Sequence, residues 1–303
     1  MEVAYLKKIT FVMVIITITL SLRMSIFSSP LLANTENNNT INSGAETRGK
    51  YLNIITVNKP QYEMVKKIVK DKHNVGYMFA DEKDINNFKY SQDVIDNVSN
   101  MDLFIYSGTT FEPWTNTFIN ELKKGNLGII NLSRGIRTIN YELAGTSKEN
   151  PYYFEGIEEY KIALYNVKAA IQDRDPQNRD FYQENYKKAI DEFDDKLSKY
   201  QGKLEKLRGY SFVTLNDGFE YITRSLGLNT LKLNNHELSE FMKLNNLDVA
   251  KTIIIDDGEN PSILDLSKYS TVKMWKYYGD MSFDDLIIYN INELCKLVKD
   301  EIP

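Results

Sequence analysis

The sequence predicts an α/β protein built as two Rossmann-like lobes joined by one long rigid helix, and three observations carry that reading. Short β-branched runs alternate with segments of helical periodicity at both ends of the folded part, which argues for parallel sheets covered by helices. Between them strands vanish for about fifty residues, and a single apolar stripe stepping by three or four residues runs from Asn178 to Leu207. The length of 303 residues is also about twice an average domain.

Composition narrows the function classes. Apolar residues make up 42% and charged residues 26%, with only 15 Gly and 7 Pro, so collagen-like, low-complexity and mostly disordered classes are excluded. The net charge of −5 offers no general attraction to nucleic acid or anionic lipid. One cysteine and two histidines leave little for a Cys-rich or His-based metal site.

Taken in order, residues 1–33 read as an export signal. Lys7 and Lys8 precede an uncharged, mostly apolar run from Ile9 to Leu22, too short for a spanning helix, and Ser28 to Ala33 offers small residues for cleavage near Ala33. An uncleaved anchor is the alternative; either way the chain is exported, to the extracellular side or the cell envelope. Residues 34–50 have one large apolar residue and no aromatic, and read as a disordered tether. The N-terminal α/β lobe is expected over 51–154, with strands at Leu52–Val57, Val75–Phe79, Asp102–Tyr106 and Gly128–Leu132 and helices at Tyr62–Val69, Ser91–Val98 and Trp114–Leu122. A helical segment follows over 155–207, stopped once at Asp175-Pro176. The C-terminal α/β lobe occupies 208–303, with strands at Tyr210–Thr214, Thr230–Leu233, Lys251–Ile255 and Tyr269–Trp275. Its helices are expected at Phe219–Ser225, Glu237–Leu244 and Asp284–Val298.

Three segments carry a further signal. Asp102-Leu103-Phe104-Ile105-Tyr106-Ser107-Gly108 leads to Phe111-Glu112-Pro113-Trp114. Pro151-Tyr152-Tyr153-Phe154 precedes Asp175-Pro176-Gln177-Asn178 and Tyr182-x-x-Asn185. Asn216-Asp217-Gly218-Phe219-x-Tyr221 is followed by Gly227-Leu228. Together they resemble the zinc and manganese solute-binding proteins of ABC importers. That resemblance implies a periplasmic-binding-protein-like fold of the metal-receptor type, a ligand held in the cleft between lobes, and an ABC transporter permease at the membrane as partner.

It also implies four ligand positions, and in this chain they are substituted. The first falls on Asn86, the second on Tyr152 and the third on Asn216, while the fourth lies within Thr271–Trp275, a stretch without a carboxylate. An amide is a weak neutral donor and a phenol with pKa near 10 is protonated at neutral pH, so these positions supply no formal charge to a dication. Additional candidate ligand-binding residues are Asp84, Glu112 and Asp217, and Asp81 and Glu82 add carboxylates beside Asn86. The expected cargo is therefore a divalent metal, zinc or manganese by resemblance, or a replacement solute. Tyr152, Tyr153, Phe88 and Trp114 are candidates to line a cleft for an organic solute.

The remaining residues read as structural. His73 and His236 are expected at exposed turns, Asp256–Asn260 as an ordinary turn, and Cys295 as a buried apolar residue. No Gly-x-Ser-x-Gly, phosphate loop or histidine beside a nucleophile is present, so no enzyme is expected. The alternative function is a degenerate receptor acting as a cell-surface interaction or accessory protein without metal binding.

Overall fold

β-Branched residues stiff at χ1 make up much of Asn53–Asn58, the first strand, β1. It pairs with β2 (Asn74–Phe79) and β3 (Leu103–Tyr106), and β3 pairs with β4 (Gly128–Asn131). The sheet is wholly parallel in the order β2-β1-β3-β4. The fold is that of a computed structural model, in which the described residues are 51–143, 146–215, 218–233, 237–258 and 266–298; the expected export signal and tether lie outside them.

Asn58 ends β1 and starts helix α1 (Lys59–Val69). Its side chain accepts from Gln61 N at 2.9 Å while Gln61 Oε1 accepts from Asn58 N at 3.3 Å, a reciprocal cap with Pro60 in the first turn. The sequence places the helix start at Tyr62; the cap moves it three residues earlier. After β2 comes the short α2 (Glu82–Asn86), begun by Asp81, whose carboxylate accepts from Lys83 N at 2.9 Å. Helices α3 (Gln92–Ser99) and α4 (Thr115–Glu121) complete this lobe. An antiparallel hairpin, β5 (Asn140–Leu143) with β6 (Thr146–Glu149), follows in a stretch where no strand is expected; four residues a side are too few to register as alternation.

The helical segment contains α5 (Ile157–Arg174), a 3-10 turn at Pro176–Asn178, α6 (Arg179–Ser198) and α7 (Gln201–Leu207). The stripe from Asn178 to Leu207 is therefore not one uninterrupted rod. Tyr200, at φ −103 and ψ −8, breaks the ladder, and its N–H bonds to Leu197 O at 3.0 Å in a tightened last turn. Ser198 and Gly202, weak helix formers, flank the break. α5 shares the bracing role. It starts on the second lobe, where Ile157 N donates to Ser225 Oγ at 3.1 Å, and ends on the first, where Arg174 reaches Asn126 O at 2.7 Å. α6 returns, from Asn185 donating to Ile68 O at 2.9 Å to Lys196 on Asp285 at 2.8 Å.

The second sheet repeats the first: β7 (Ser211–Thr214), β8 (Asn229–Lys232), β9 (Thr252–Asp256) and β10 (Ser270–Lys273), all parallel, in the order β10-β9-β7-β8. Helices α8 (Glu220–Ser225), α9 (Leu238–Leu244) and α10 (Phe283–Cys295) pack on it, with Cys295 buried as expected. One buried apolar cluster runs through both lobes and the α5–α6 brace. A smaller one, including Val213, Phe241 and Ile254, lies between the second sheet and α9. Across the lobe junction, Phe111, Phe154, Tyr277 and Phe283 form an aromatic seam. Phe154 stacks on Phe283 at 4.3 Å between centroids, and Phe111 meets Tyr277 at 5.3 Å.

His73 is not an exposed turn residue: it is 4% exposed beneath the start of α6. Leu52 N–H donates to its Nδ1 at 3.4 Å, which leaves Nε2 to donate to Tyr182 Oη at 2.7 Å, and Tyr182 in turn donates to Asp175 at 2.5 Å. Burial holds the imidazole below its ordinary value of 6.5, against the pull of Asp175. His236 lies outside the described residues.

Because the unfolded chain takes up a proton on this imidazole at a higher pH than the native protein does, its contribution to stability is present above about pH 6.5 and declines as the pH falls. Urea unfolding at about pH 7.5 and about pH 5.5 should therefore show a smaller acid loss for His73→Gln than for the parent. The difference is bounded at about 1.4 kcal/mol per pH unit for one proton. Equal losses would contradict the buried neutral assignment.

Candidate functional site

Ligands of open parallel sheets bind beyond the carboxyl ends of the strands, where strand order reverses. In the first sheet that point lies between β1 and β3, and in the second between β7 and β9. A cleft of about 650 Å³ lies between the lobes. Asp81, Glu82, Lys83 and Asn86 line it from the first lobe, Tyr152 from the junction, and Trp275, Tyr277, Tyr278 and Asp280 from the second.

The structure thus brings together three of the four positions implied by the sequence: Asn86, Tyr152 and the end of the Thr271–Trp275 window. Asn216 and Asp217 lie outside the described residues. Asp84 is exposed on α2 and is not among the residues lining the cleft. Glu112 does not reach the cleft either. It is 1% exposed in the first lobe, where it accepts from Ser107 N at 2.8 Å, Ser107 Oγ at 2.8 Å and Gln61 Nε2 at 3.1 Å. Burial pushes its carboxyl up to about 7 against those hydrogen bonds, and its role is to tie the end of β3 to α1.

The aromatic lining also differs from expectation. Phe88 and Trp114 pack on each other at 4.9 Å in the first-lobe core, and Tyr153 is buried with its hydroxyl donating to Ser107 O at 3.0 Å. Only Tyr152 of the four expected rings faces the cleft; Trp275, Tyr277 and Tyr278 supply the others. The Tyr277 side of the cleft was missed because Trp275 to Tyr278 follows a strand and reads as its continuation. Alternation of aromatic residues with Lys276 is the only local signal there.

Tyr152 is fixed from both sides. Its N–H donates to Asn150 Oδ1 at 3.0 Å, and its hydroxyl donates to Glu82 Oε1 at 2.8 Å. Asn150 continues the network into the second lobe by donating to Glu220 Oε2 at 2.8 Å. The Tyr221 hydroxyl, pushed up to about 12 by burial, accepts from Ile139 N at 2.8 Å and donates to Asn150 O at 3.3 Å.

The two rims close on each other at one place. Tyr277 Oη donates to Ala80 O at 3.1 Å, and a Cβ built on Gly279 would overlap that same carbonyl, so only glycine permits the approach. Lys59 on Asp280 at 2.8 Å and Lys67 on Asp284 at 2.9 Å add ion pairs across the junction.

Sequence reasoning also missed the groups beneath Tyr152. Lys276 and Asp257 form an ion pair at 3.0 Å with side chains 11% and 2% exposed, and the Lys276 ammonium lies 5.6 Å from the Tyr152 ring centroid. Glu155 is fully buried, and neither of its carboxyl oxygens has a hydrogen-bond partner. Burial, with Glu220 next, holds it well above the usual carboxylate range, and Lys276 pulls the other way. Among the described residues no three of His, Cys, Asp and Glu come together in a way that could hold a metal ion.

Comparison with known proteins fits this geometry. The family model described as zinc-uptake complex component A, periplasmic, matches residues 54–254. The high-affinity zinc uptake system protein ZnuA of Bacillus subtilis is 25% identical over 206 residues, 63% of each chain. The manganese ABC transporter substrate-binding lipoprotein PsaA of Streptococcus pneumoniae is 24% identical over 190 residues, 60% of this chain and 62% of the relative. The chain therefore spans a little over three-fifths of the length of these curated relatives. Among solved structures, the metal-dependent lipoprotein YcdH of Bacillus subtilis aligns with a TM-score of 0.68 at 21% identity, over 81% of this chain and 98% of that one. The Zn(II)-bound ZnuA-like domain of AdcA from Streptococcus pneumoniae aligns with a TM-score of 0.66 at 18% identity, over 82% and 98%. The fold is shared with both.

Replacing Gly279 by alanine should force the rims apart and cost about 1–3 kcal/mol of stability, the usual range for overpacking. Urea unfolding measures it, and a variant as stable as the parent would show that Ala80 and Gly279 do not meet.

Proposed function

The chain belongs to the zinc-uptake component A family, and from that premise we propose that it is the exported solute-binding component of a metal-type ABC importer. It takes its cargo in the inter-lobe cleft and hands it to a membrane permease. The observation that supports this most is the convergence of Asn86, Tyr152 and Trp275, from the first lobe, the junction and the second lobe, on one cleft. No catalytic role is proposed. The accessory-protein reading has no observation of its own.

The cleft chemistry bears on the cargo. Asp81, Glu82 and Asp280 give the lining an acidic character, and the rings of Tyr152, Trp275, Tyr277 and Tyr278 suit an organic or chelated cation. A bare zinc ion wants imidazole, thiolate or several carboxylates around it. A cationic solute, either an organic ammonium or a metal carried in a chelate, fits these walls better.

The basic and apolar start of the chain, residues 1–33, supports export, with 34–50 as a tether between it and the lobes. Several relatives are named as lipoproteins, but the sole cysteine here is Cys295, buried in α10, so lipid attachment through it is not part of the proposal.

Of the two tryptophans, Trp114 is buried in the first lobe and Trp275 lines the cleft, so Trp275 reports on occupancy. Titration with free and chelated dications and with organic ammonium solutes should change its emission, and Trp275→Phe should abolish the change. A solute at one hundred times its Kd should add about 2.7 kcal/mol of stability, read as a raised Tm. If no solute class moves either signal, the receptor reading fails.

A further inference from the structure

Beneath Tyr152, the second of the implied ligand positions, lies a charged side chain of the protein itself. Lys276 follows the Thr271–Trp275 window directly. Its stem lies against Gly218, two residues past Asn216, so closely that a Cβ on that glycine would overlap the lysine Cγ and Cδ. Its ammonium stands 5.6 Å from the ring centroid of Tyr152, the second position, and bonds to Asp257 at 3.0 Å. The lysine therefore faces the ring of the second position and directly follows the fourth-position window in the chain.

Its electrical surroundings are those of a cation site. Asp257 follows β9 at the carboxyl end of the second sheet, beside the reversal between β7 and β9. Glu155 and Glu220 add three buried carboxyl oxygens without hydrogen-bond partners. Glu155 interacts electrostatically with Glu220, Lys276, Glu82 and Asp257. Leaving so many buried acceptors together is costly unless a positive charge or protons offset them. Among the described residues, Lys276 is a cation that interacts with them, paired to Asp257 and acting on Glu155. Gly218, at φ +138, supplies a backbone that most residues avoid and leaves the room that the lysine stem fills.

We infer that the Lys276 ammonium is a tethered replacement for the dication that this family architecture would otherwise hold, and that it excludes a bare metal ion. The inference rests on family membership and on the cleft as the cargo site. The lysine holds Tyr152 and the second lobe in register without cargo. The cleft above it, lined by Tyr152, Trp275, Tyr277 and Tyr278, is left for a larger solute.

Calorimetric titration of the purified protein with zinc, manganese and calcium chlorides tests this, alongside Lys276→Met and Lys276→Met/Asp257→Asn. Methionine keeps the length and apolar stem while removing the charge. The parent should give no saturable isotherm. Lys276→Met should bind at least one of the three dications saturably, with a Kd about 100-fold or more below the highest concentration at which the parent shows no binding, a gain smaller than the full Coulomb effect of one unit charge a few ångströms away. The double variant should lose that gain. If Lys276→Met folds only when a dication is added, the result also supports the inference.

Saturable micromolar binding by the parent overturns it, as does a Lys276→Met protein that binds no better or that no dication restores. Trp275 emission separates this outcome from failure of the receptor reading. Dication binding by the parent removes the tethered-cation inference and leaves a receptor, whereas silence of Trp275 toward every solute removes the receptor.

Discussion

A charge nearly buried at the lobe junction has to meet its opposite inside the protein, because little water is there to solvate it. Lys276 and Asp257 satisfy that condition at 3.0 Å, and much of the site is arranged around them. Gly218 is glycine because the lysine stem occupies the space of a side chain, and Tyr152 offers its ring to the ammonium and its hydroxyl to Glu82. Asn150 then carries the same network onto Glu220. One nearly buried ion pair thus links the start of the helical segment to the end of the second sheet.

The lobes are joined by more than this pair. The aromatic seam of Phe111, Phe154, Tyr277 and Phe283 gives the junction an apolar core of its own, continuous with the cores of both sheets. Helices α5 and α6 run past it in opposite directions, and Tyr160 meets Phe193 between them at 5.0 Å. A brace of two packed helices resists bending better than one, which makes the break at Lys199–Tyr200 tolerable. The rims can then approach to the contact that only Gly279 allows.

Most of the fold was legible in the sequence because parallel strands buried on both faces leave continuous apolar runs, and amphipathic helices leave a stripe. The central strands of the two sheets, β1, β3, β7 and β9, fall where Ile, Val, Phe and Leu cluster. What escaped was short or local. Helix α2 is one turn held by an Asp81 cap, and the β5–β6 hairpin has four residues a side. His73 looks polar in sequence, and only the fold brings Tyr182 and Asp175 to it from more than a hundred residues away. The site was half legible. Asn86 and Tyr152, two positions implied by the resemblance, line the cleft, while Glu112 carries a motif position but spends its carboxylate inside the first lobe. Lys276, Asp257 and Glu155 were invisible because single charged residues beside apolar runs ordinarily face water, and nothing in a one-dimensional pattern reveals that these three are buried together.

The central claim is that a lysine stands where a dication would. Anomalous diffraction from crystals grown in zinc and in manganese, collected at each metal edge, tests it most directly. The account predicts no anomalous peak among Asn86, Tyr152 and Trp275, with Lys276 Nζ resolved against Asp257. A peak there, with the lysine displaced from Asp257, would contradict it.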